Sequence, residues 1–486
     1  MNRTIRITSV LTLILVLILL VNLTVIQGFR QDKYANNSMN SRNLIELRTT
    51  ARGQISTGGL VLAQSTEDEN GYYNREYPTD GTIYGTITGY FSDIYGTSGL
   101  ESSYNDVLDG SDPNTNNLSV WQEIMGETAA PGNVELTVLP SVQEVAYNQL
   151  ANAGYDGAVA AIRPSTGEIL ALASTPSYDP SLLANRDTAE SAWADYTTEE
   201  GNPLLNHATQ ETLPPGSTFK VLTTAAALNA GYTPQSTLTG EAEIVLPDTT
   251  TTLENYGGHI CGGSLSVTLL TAFQYSCNTA FVQMGIDTGA EELRHVADAF
   301  GVGSDYDLGI PNARGTIGEI PDDSALGQSA IGQRDVSLTV LENAVIAATV
   351  ANDGKRMQPY LVSRVLSNDL NAISETQPVE VTQAVSPEVA QTLTELMQAS
   401  ERNTSGYTGA DIASKTGTAE HGDGITETNP HTWYIAFGPT AEADVAVAVV
   451  VKNGGNRGQD ATGGSVAAPI GRAVIAAAEQ ALATQE

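Results

Sequence analysis

The chain has 486 residues, of which 56 are Asp or Glu and 22 are Lys or Arg, so its formal net charge is −34. A surface this acidic argues against a nucleic-acid-binding protein, because binding to phosphates requires clustered positive charge. Hydrophobic residues make up 41% of the chain and there are two cysteines, which excludes global disorder, a disulfide scaffold and a multi-cysteine metal site.

The first predicted element is a membrane-spanning helix. Arg3 and Arg6 precede an uncharged and mostly apolar run from Ile7 to Ile26, and about 20 such residues cross a bilayer as a helix. The residues after the run show no small-x-small cleavage pattern, so we expect a retained signal-anchor at 7–27 with a cytoplasmic tail at 1–6. A cleaved secretory signal is the alternative. Nearly all of the chain is then expected to lie on the outer side of the cell membrane.

Residues 28–130 are expected to form a small, non-catalytic domain. Between Tyr72 and Tyr104 the sequence is rich in Gly, Tyr and Thr, a composition that favours short strands and turns over helices. The sequence therefore predicts a strand-rich N-terminal domain.

A second domain is expected at residues 131–486. Strands are predicted at 134–139, 157–162, 168–172, 433–437 and 445–451, and helices at 141–150, 336–350 and 466–482, with an Ala-rich helical run that begins at Ser217. Strands thus occur early and late, with helices between them. This order predicts a mixed α/β (α+β) domain in which a sheet is assembled from both ends around a helical subdomain.

The first candidate for catalysis is Ser217 with Lys220, which follow a Pro-Pro-Gly segment. Side chains at positions i and i+3 of a helix share one face, so the lysine amine can reach the hydroxyl. A serine is a poor nucleophile unless a neighbouring base takes its proton, and Lys220 can do so if burial and a second cation keep it neutral. The motif alone is weak, because about one such match is expected by chance in a chain of this length.

Two further elements strengthen this interpretation. In Ser276-Cys277-Asn278 the serine hydroxyl can relay a proton, and the asparagine amide can bond both Lys220 and a substrate amide. In Lys415-Thr416-Gly417-Thr418 the lysine offers a cation for a substrate carboxylate and lowers the pKa of Lys220 by repulsion. Gly417 leaves space where substrate would lie along the strand edge. The backbone N–H groups of Thr418 and Ser217 could form an oxyanion hole.

These three elements, in this order, resemble the S-x-x-K, S-x-N and K-T-G motifs of the penicillin-binding proteins and serine β-lactamases. The resemblance extends over most of the chain. The chain most closely resembles class B members from actinomycetes. The other carriers of the resemblance are Gly167–Ser174, Tyr178-Asp179-Pro180, Ser329–Gln333, Ala351–Gly354, His431–Ala436, Arg52–Ile55, Arg75–Pro78 and Gly99-Leu100-Glu101 with Tyr104.

The resemblance implies a transpeptidase domain with an antiparallel sheet and a helical subdomain, a dimerisation or pedestal domain before it, and no cofactor. It implies a D,D-transpeptidase in which Ser217 attacks the penultimate D-alanine of a peptidoglycan stem peptide, D-Ala-D-Ala. Lys220 would be the general base, Ser276 the proton relay and Asn278 a positioning group. Lys415, Thr416 and Thr418 would bind the terminal carboxylate, and β-lactams would acylate Ser217.

The same resemblance sets two expectations about what the chain lacks. Between Asn278 and Lys415 no Glu has Asn four residues later, so we expect slow deacylation and no useful β-lactamase activity. The N-terminal region has no room for a glycosyltransferase, so glycan polymerisation would come from a separate partner enzyme, with further divisome or elongation partners. A non-catalytic β-lactam receptor or divisome scaffold of the same fold is the alternative.

The two cysteines leave alternatives open. Cys261 and Cys277 could form a disulfide in an exported domain or remain two buried thiols. A bridge would hold Ser276 and restrict the cleft. His259 lies near Cys261, but its ligand set is incomplete and we expect no metal.

Overall fold

The computed structural model describes residues 2–29, 48–112, 130–420 and 428–484. The chain divides into two compact units, one made of residues 1–51 and 65–74 and the other of residues 52–64 and 75–486.

The helices, numbered in chain order, are α1 (Asn2–Phe29), α2 (Gly81–Thr88), α3 (Gly99–Ser103), α4 (Asn105–Asp109), α5 (Pro140–Ala151), α6 (Pro180–Ala184), α7 (Ala189–Thr198), α8 (Lys220–Asn229), α9 (Leu269–Gln274), α10 (Asn278–Thr288), α11 (Ala290–Ala299), α12 (Asp323–Ser329), α13 (Val340–Ala351), α14 (Pro387–Asn403) and α15 (Ala467–Ala483).

The strands are β1 (Ile55–Thr57), β2 (Leu60–Glu67), β3 (Tyr73–Glu76), β4 (Phe91–Ser92), β5 (Gly96–Thr97), β6 (Asn133–Leu136), β7 (Gly157–Ile162), β8 (Ile169–Thr175), β9 (Thr237–Thr239), β10 (Glu243–Val245), β11 (Thr252–Glu254), β12 (Ser266–Thr268), β13 (Lys355–Met357), β14 (Val362–Leu366), β15 (Ala372–Glu375), β16 (Glu380–Gln383), β17 (Ala413–Ala419), β18 (His431–Gly438) and β19 (Val445–Val451).

The smaller unit contains α1, the candidate membrane span. Its segment Ile5–Val25 has a mean hydropathy of 2.6 and none of it is buried. Among the described residues it is the one helix long and apolar enough to cross a bilayer.

The larger unit is built around a five-stranded antiparallel sheet in the order β17–β18–β19–β7–β8. Helices α5 and α15 pack on one face, and α13 packs on the other. Because both faces are covered, β7 and β19 are buried along their whole length, which explains their nearly continuous Val and Ala sequence. The predicted antiparallel sheet and helical subdomain are confirmed.

The second sheet has the order β15–β14–β6–β1–β2–β3. In it β6 pairs in parallel with β1 and antiparallel with β14. The predicted boundary between residues 130 and 131 thus falls just before a strand of this sheet.

The expectation of strands and turns over the whole of Tyr72–Tyr104 is wrong for residues 81–88, which form α2, and for residues 99–103, which form α3. Asp80 caps this helix, because its carboxylate accepts a hydrogen bond from the N–H of Thr82 at 3.1 Å. Ile83 and Ile87 are buried in the core on one face of the helix. Capping and burial together outweigh the low helix propensity of its Gly and Thr residues.

Candidate active site

Ser217 lies in a single 3₁₀ turn, Gly216–Phe219, that leads directly into α8 at Lys220. The prediction that the helical run begins at Ser217 as an α-helix is therefore wrong by this one turn, a common form of helix entry. Gly216 has a φ of +54°, and a side chain there would lie 2.9 Å from the carbonyl oxygen of Thr418. The turn brings Ser217 beside β17, and its half-buried hydroxyl makes no hydrogen bond to any of the described residues.

Two contacts that the sequence did not reveal hold this turn in place. The indole Nε1 of buried Trp433 donates to the carbonyl oxygen of Pro214 at 2.9 Å. The hydroxyl of Thr218 lies 3.1 Å from Oδ1 of Asn343, which is fully buried in α13. Both partners are distant in sequence, so no local pattern points to them.

The side chain of Lys220 is fully buried, and its amine faces three acceptors. Nζ lies 2.7 Å from Oδ1 of Asn278, 2.8 Å from the carbonyl oxygen of Ser276 and 3.3 Å from the Ser276 hydroxyl. Burial lowers the pKa of Lys220 well below its usual range, and the charge of Lys415 lowers it further. The protonated amine can donate one N–H to each of the three acceptors, and neutral Lys220 keeps two N–H groups and a lone pair that can accept a proton. This arrangement suits a general base.

The hydroxyl of Ser276 connects the two lysines. It accepts hydrogen bonds from Nζ of Lys220 at 3.3 Å and from Nζ of Lys415 at 2.9 Å. A hydroxyl has two lone pairs and one proton, so the proton remains available to a substrate when both lone pairs are engaged. Ser276 has a φ of +57°, and such strained positions cluster at functional sites.

Lys415 is the second buried amine of the site, with 1% of its surface exposed. Burial lowers its pKa to about 7. Its Nζ lies 5.8 Å from the ring centre of Phe273, and that of Lys220 lies 5.1 Å from the ring centre of Phe281. Neither lysine forms an ion pair with a carboxylate of the described residues, so aromatic faces and neutral acceptors surround both amines. The result is a small positive centre inside an acidic protein.

The strand that carries Lys415, β17, is an edge strand of the five-stranded sheet. One side pairs with β18, and no described strand pairs with the other. The outer backbone groups of such a strand can bind an extended peptide. The half-buried Thr416 and Thr418 lie on this strand on either side of Gly417.

Gly417 is required by the packing of β17 against the Ser217 turn. A side chain at this position would lie 2.7 Å from the carbonyl oxygen of Pro215 and 3.1 Å from the side chain of Thr218. From the sequence, this glycine was expected to leave space for a substrate. The structure adds a second reason, which is the close approach between the Ser217 turn and the edge strand.

Asn278 is the first residue of α10, and both ends of its amide are engaged. Oδ1 accepts from Lys220, while Nδ2 donates to the carbonyl oxygen of Glu254 at 3.0 Å. Because Glu254 offers a carbonyl, which can only accept, its contact fixes which end of the amide faces Lys220. The amide nitrogen has two protons, so one remains for a substrate oxygen.

Cys261 and Cys277 are bridged, with a Cα–Cα distance of 5.7 Å, which decides between the two alternatives left open by the sequence. Both are buried. Cys277 lies between Ser276 and Asn278, so the bridge ties the second motif to the loop at residues 255–261.

A partly buried ionic cluster lies six residues before Ser217, at Glu211. Nζ of Lys452 lies 2.8 Å from Oδ1 of Asp156 and donates to Glu211 at 3.1 Å, and Nδ1 of His207 lies 2.8 Å from Glu211. Burial opposes ionisation of Glu211, but these partners outweigh it and lower its pKa to about 2. Among the described residues, no group of three or more His, Cys, Asp and Glu side chains could hold a metal ion.

Two known protein families match the chain, one in its N-terminal part and one in the rest. Residues 157–476 match the family described as the penicillin binding protein transpeptidase domain. Residues 52–134 match the penicillin binding protein A dimerisation domain.

Individual proteins of this family are similar to the chain over nearly its whole length. The peptidoglycan D,D-transpeptidase PbpA of Mycolicibacterium smegmatis is 47% identical over 98% of this chain and 99% of its own length. The solved structure of penicillin-binding protein A from M. tuberculosis as a ceftriaxone acyl-enzyme has 47% identity and a TM-score of 0.85, covering 90% of this chain and 99% of that one. Its penicillin G acyl-enzyme has 47% identity and a TM-score of 0.84, covering 89% and 100%.

Proposed function

The chain belongs to the class B penicillin-binding proteins, and we propose that Ser217 is the nucleophile of its transpeptidase reaction. The protein is a peptidoglycan D,D-transpeptidase that β-lactams acylate. The observation that carries the assignment to Ser217 is the shared hydroxyl of Ser276. Two buried lysines, Lys220 and Lys415, both donate to it, beside the turn that presents Ser217.

In the first half-reaction, Oγ of Ser217 attacks the carbonyl carbon of the penultimate D-alanine. Neutral Lys220 accepts the hydroxyl proton as the new C–O bond forms. The C–N bond to the terminal D-alanine then breaks. Ser276 passes a proton to the leaving amine and regains one from Lys220, so terminal D-alanine departs with a complete amino group.

In the second half-reaction, the amine of another stem peptide attacks the ester at Ser217. Lys220 and Ser276 remove a proton from this amine, the C–O bond breaks, and the proton returns to Ser217. One D-alanine is released for each cross-link formed, and the enzyme is unchanged. A β-lactam follows the first half-reaction, but its leaving amine stays attached to the acyl group.

We assign the binding and orientation of the substrate to residues of β17 and to Asn278. Lys415, while protonated, would bind the terminal carboxylate together with the hydroxyls of Thr416 and Thr418. The remaining amide proton of Asn278 would bind a carbonyl oxygen of the stem peptide. We assign the oxyanion hole to the backbone N–H groups of Ser217 and Thr418. The close approach of the two segments supports this, since a side chain at Gly216 would lie 2.9 Å from the Thr418 carbonyl oxygen.

The domain organisation follows from the same premise. We assign residues 131–486 to the transpeptidase domain, 28–130 to the dimerisation or pedestal domain and 7–27 to a single membrane anchor after a cytoplasmic tail at 1–6. The apolar helix α1 supports an association with the cell membrane. The catalytic domain would then lie outside the cytoplasm, where peptidoglycan is assembled.

A separate glycan polymerase and divisome or elongation proteins would act with this enzyme. A purely scaffolding role gains no support from the site, because the amines and amides of all three motifs are engaged with one another.

The direct test is transpeptidation by the full chain in detergent with a D-Ala-D-Ala stem peptide and an amine acceptor. We expect one D-alanine per cross-link from the wild type and none from Ser217→Ala. Ser191→Ala, at an exposed serine, should behave like the wild type. Release of D-alanine by Ser217→Ala at the wild-type rate would contradict the proposal.

A further inference from the structure

Asn255 lies outside the three motifs, yet every hydrogen-bonding group of its buried amide is engaged. With 5% of its surface exposed, it donates through Nδ2 to the carbonyl oxygens of Glu241 at 2.9 Å and His259 at 3.0 Å. Its Oδ1 accepts from the N–H of Thr279 at 3.1 Å and lies 3.2 Å from the Thr279 hydroxyl. Asn255 therefore joins its own loop to the first turn of α10.

The bond to Thr279 replaces a missing helix cap. The N-cap position of α10 is Cys277, which makes no side-chain capping bond and whose sulfur is committed to the disulfide. The first N–H groups of a helix have no partner within the helix. Asn255 supplies an acceptor for one of these N–H groups, that of Thr279, from a loop more than twenty residues before the helix.

The peptide group between Glu254 and Asn255 reaches the catalytic amide directly. Its N–H donates to the carbonyl oxygen of Ala242 at 2.9 Å, and its carbonyl oxygen accepts from Nδ2 of Asn278 at 3.0 Å. A peptide group is planar, so the first bond sets the direction of the second. Whatever holds Asn255 thus also holds the group that orients Asn278.

We propose that Asn255 is a positioning residue for Asn278. Its buried amide ties the Glu254–Asn255 peptide to the first turn of α10, so that the Glu254 carbonyl keeps Nδ2 of Asn278 away from Lys220 and Oδ1 towards it. Without this restraint the Asn278 amide can rotate, and Lys220 loses an acceptor at 2.7 Å. The inference rests on the proposed function, since it gives Asn278 a role in acylation.

Two variants separate positioning from stability. Asn255→Ala removes both sets of bonds. Asn255→Asp keeps an acceptor for the N–H of Thr279 but places a carboxylate oxygen against the carbonyl oxygens of Glu241 and His259. The helix cap survives and the loop contact does not. Asn229→Ala, at an exposed asparagine of α8, is the matched control.

The measurement is acylation of the full chain by a fluorescent penicillin as a function of pH, with the folded fraction followed by thermal unfolding. Both Asn255 variants should acylate about tenfold more slowly per folded molecule, the factor that corresponds to one hydrogen bond. The acid limb of their pH profile should move to lower pH, because an acceptor that stabilises the Lys220 ammonium is lost. The charged group that faces Lys220 among the described residues, Lys415, is unchanged.

The outcomes are distinct. A wild-type chain that forms no adduct would contradict the proposed function itself. A wild type that reacts, with variants that match its rate and its pH profile, would overturn the role of Asn255 alone. Normal acylation by Asn255→Asp with slow acylation by Asn255→Ala would assign Asn255 to helix capping, and failure of both variants to fold would assign it to the fold. Either result also overturns positioning.

Discussion

Replacing Lys415 by Met would test the electrostatic coupling at the centre of the site. The substitution removes one buried charge while keeping an unbranched side chain that can still pack beside Phe273. In the proposed mechanism neutral Lys220 is the base, so acylation should rise with pH as Lys220 loses its proton. Lys415 lowers the pKa of Lys220, and its removal should raise that pKa.

The geometry sets the size of the effect. Both amines donate to the same oxygen of Ser276, at 3.3 and 2.9 Å, so they lie about 6 Å apart or less. At that separation and an effective dielectric constant of about 20, two unit charges repel by about 2.8 kcal/mol, or roughly two pKa units. The acid limb of the pH profile should therefore move upwards by about two units in Lys415→Met.

The same variant should change the alkaline side of the profile. Burial lowers the pKa of Lys415 to about 7, so its charge is present below that pH and is lost above it. Wild-type acylation by a carboxylate-bearing β-lactam should decline above about pH 7 as this charge disappears. In Lys415→Met that decline should be absent, because the titrating group is gone.

The assay is the second-order acylation rate constant of the full chain, measured with a fluorescent penicillin at closely spaced pH values. Lys355→Met removes an exposed lysine and is the control for net charge. Its profile should match that of the wild type. An unchanged acid limb in Lys415→Met would show that the two amines are not coupled, or that Lys220 is not the base, and would refute the reasoning.

Three further predictions concern the frame of the site. Gly417→Ala, whose new side chain would meet the Pro215 carbonyl at 2.7 Å, should slow acylation by about 100-fold in folded protein; wild-type kinetics would contradict this. Replacing Cys261 and Cys277 by Ser should lower the unfolding free energy in urea by about 3 kcal/mol, and reductant should destabilise only the wild type. Glu211→Gln should lower the unfolding free energy by about 1 to 2 kcal/mol at neutral pH, because the pKa of this carboxylate is lowered to about 2 while solvent screens its partly exposed side chain. Its stabilisation is complete above about pH 4.5 and is lost as the pH falls towards 2, so the difference should vanish there; a difference independent of pH would count against it.

Much of the fold could be predicted from the sequence because its central strands have a clear apolar pattern. The segments 157–162 and 445–451 are continuous runs of Val, Ala and Ile, and a sheet covered on both faces requires such runs. The helix α2 was missed because its Gly and Thr residues argue against a helix. Its stability comes from the Asp80 cap and from burial, and the burial is a tertiary effect.

The motifs were visible in the sequence, but the contacts that orient them were not. The spacing of Ser217 and Lys220 is local, so a pattern can reveal it. Trp433 and Asn255 act on residues that are distant in sequence through side-chain hydrogen bonds, which leave no periodicity in the sequence. The pairing of the cysteines was open for a similar reason, since a separation of 16 residues suits both a bridge and two buried thiols.

Mass spectrometry after incubation with a labelled penicillin tests the central claim most directly. We predict a single covalent adduct on the proteolytic peptide that contains Ser217, and we expect this adduct to persist for long enough to be isolated. Ser217→Ala should carry no label under the same conditions. An adduct on a different residue, or no adduct on the folded wild-type chain, would contradict the assignment of Ser217 as the nucleophile.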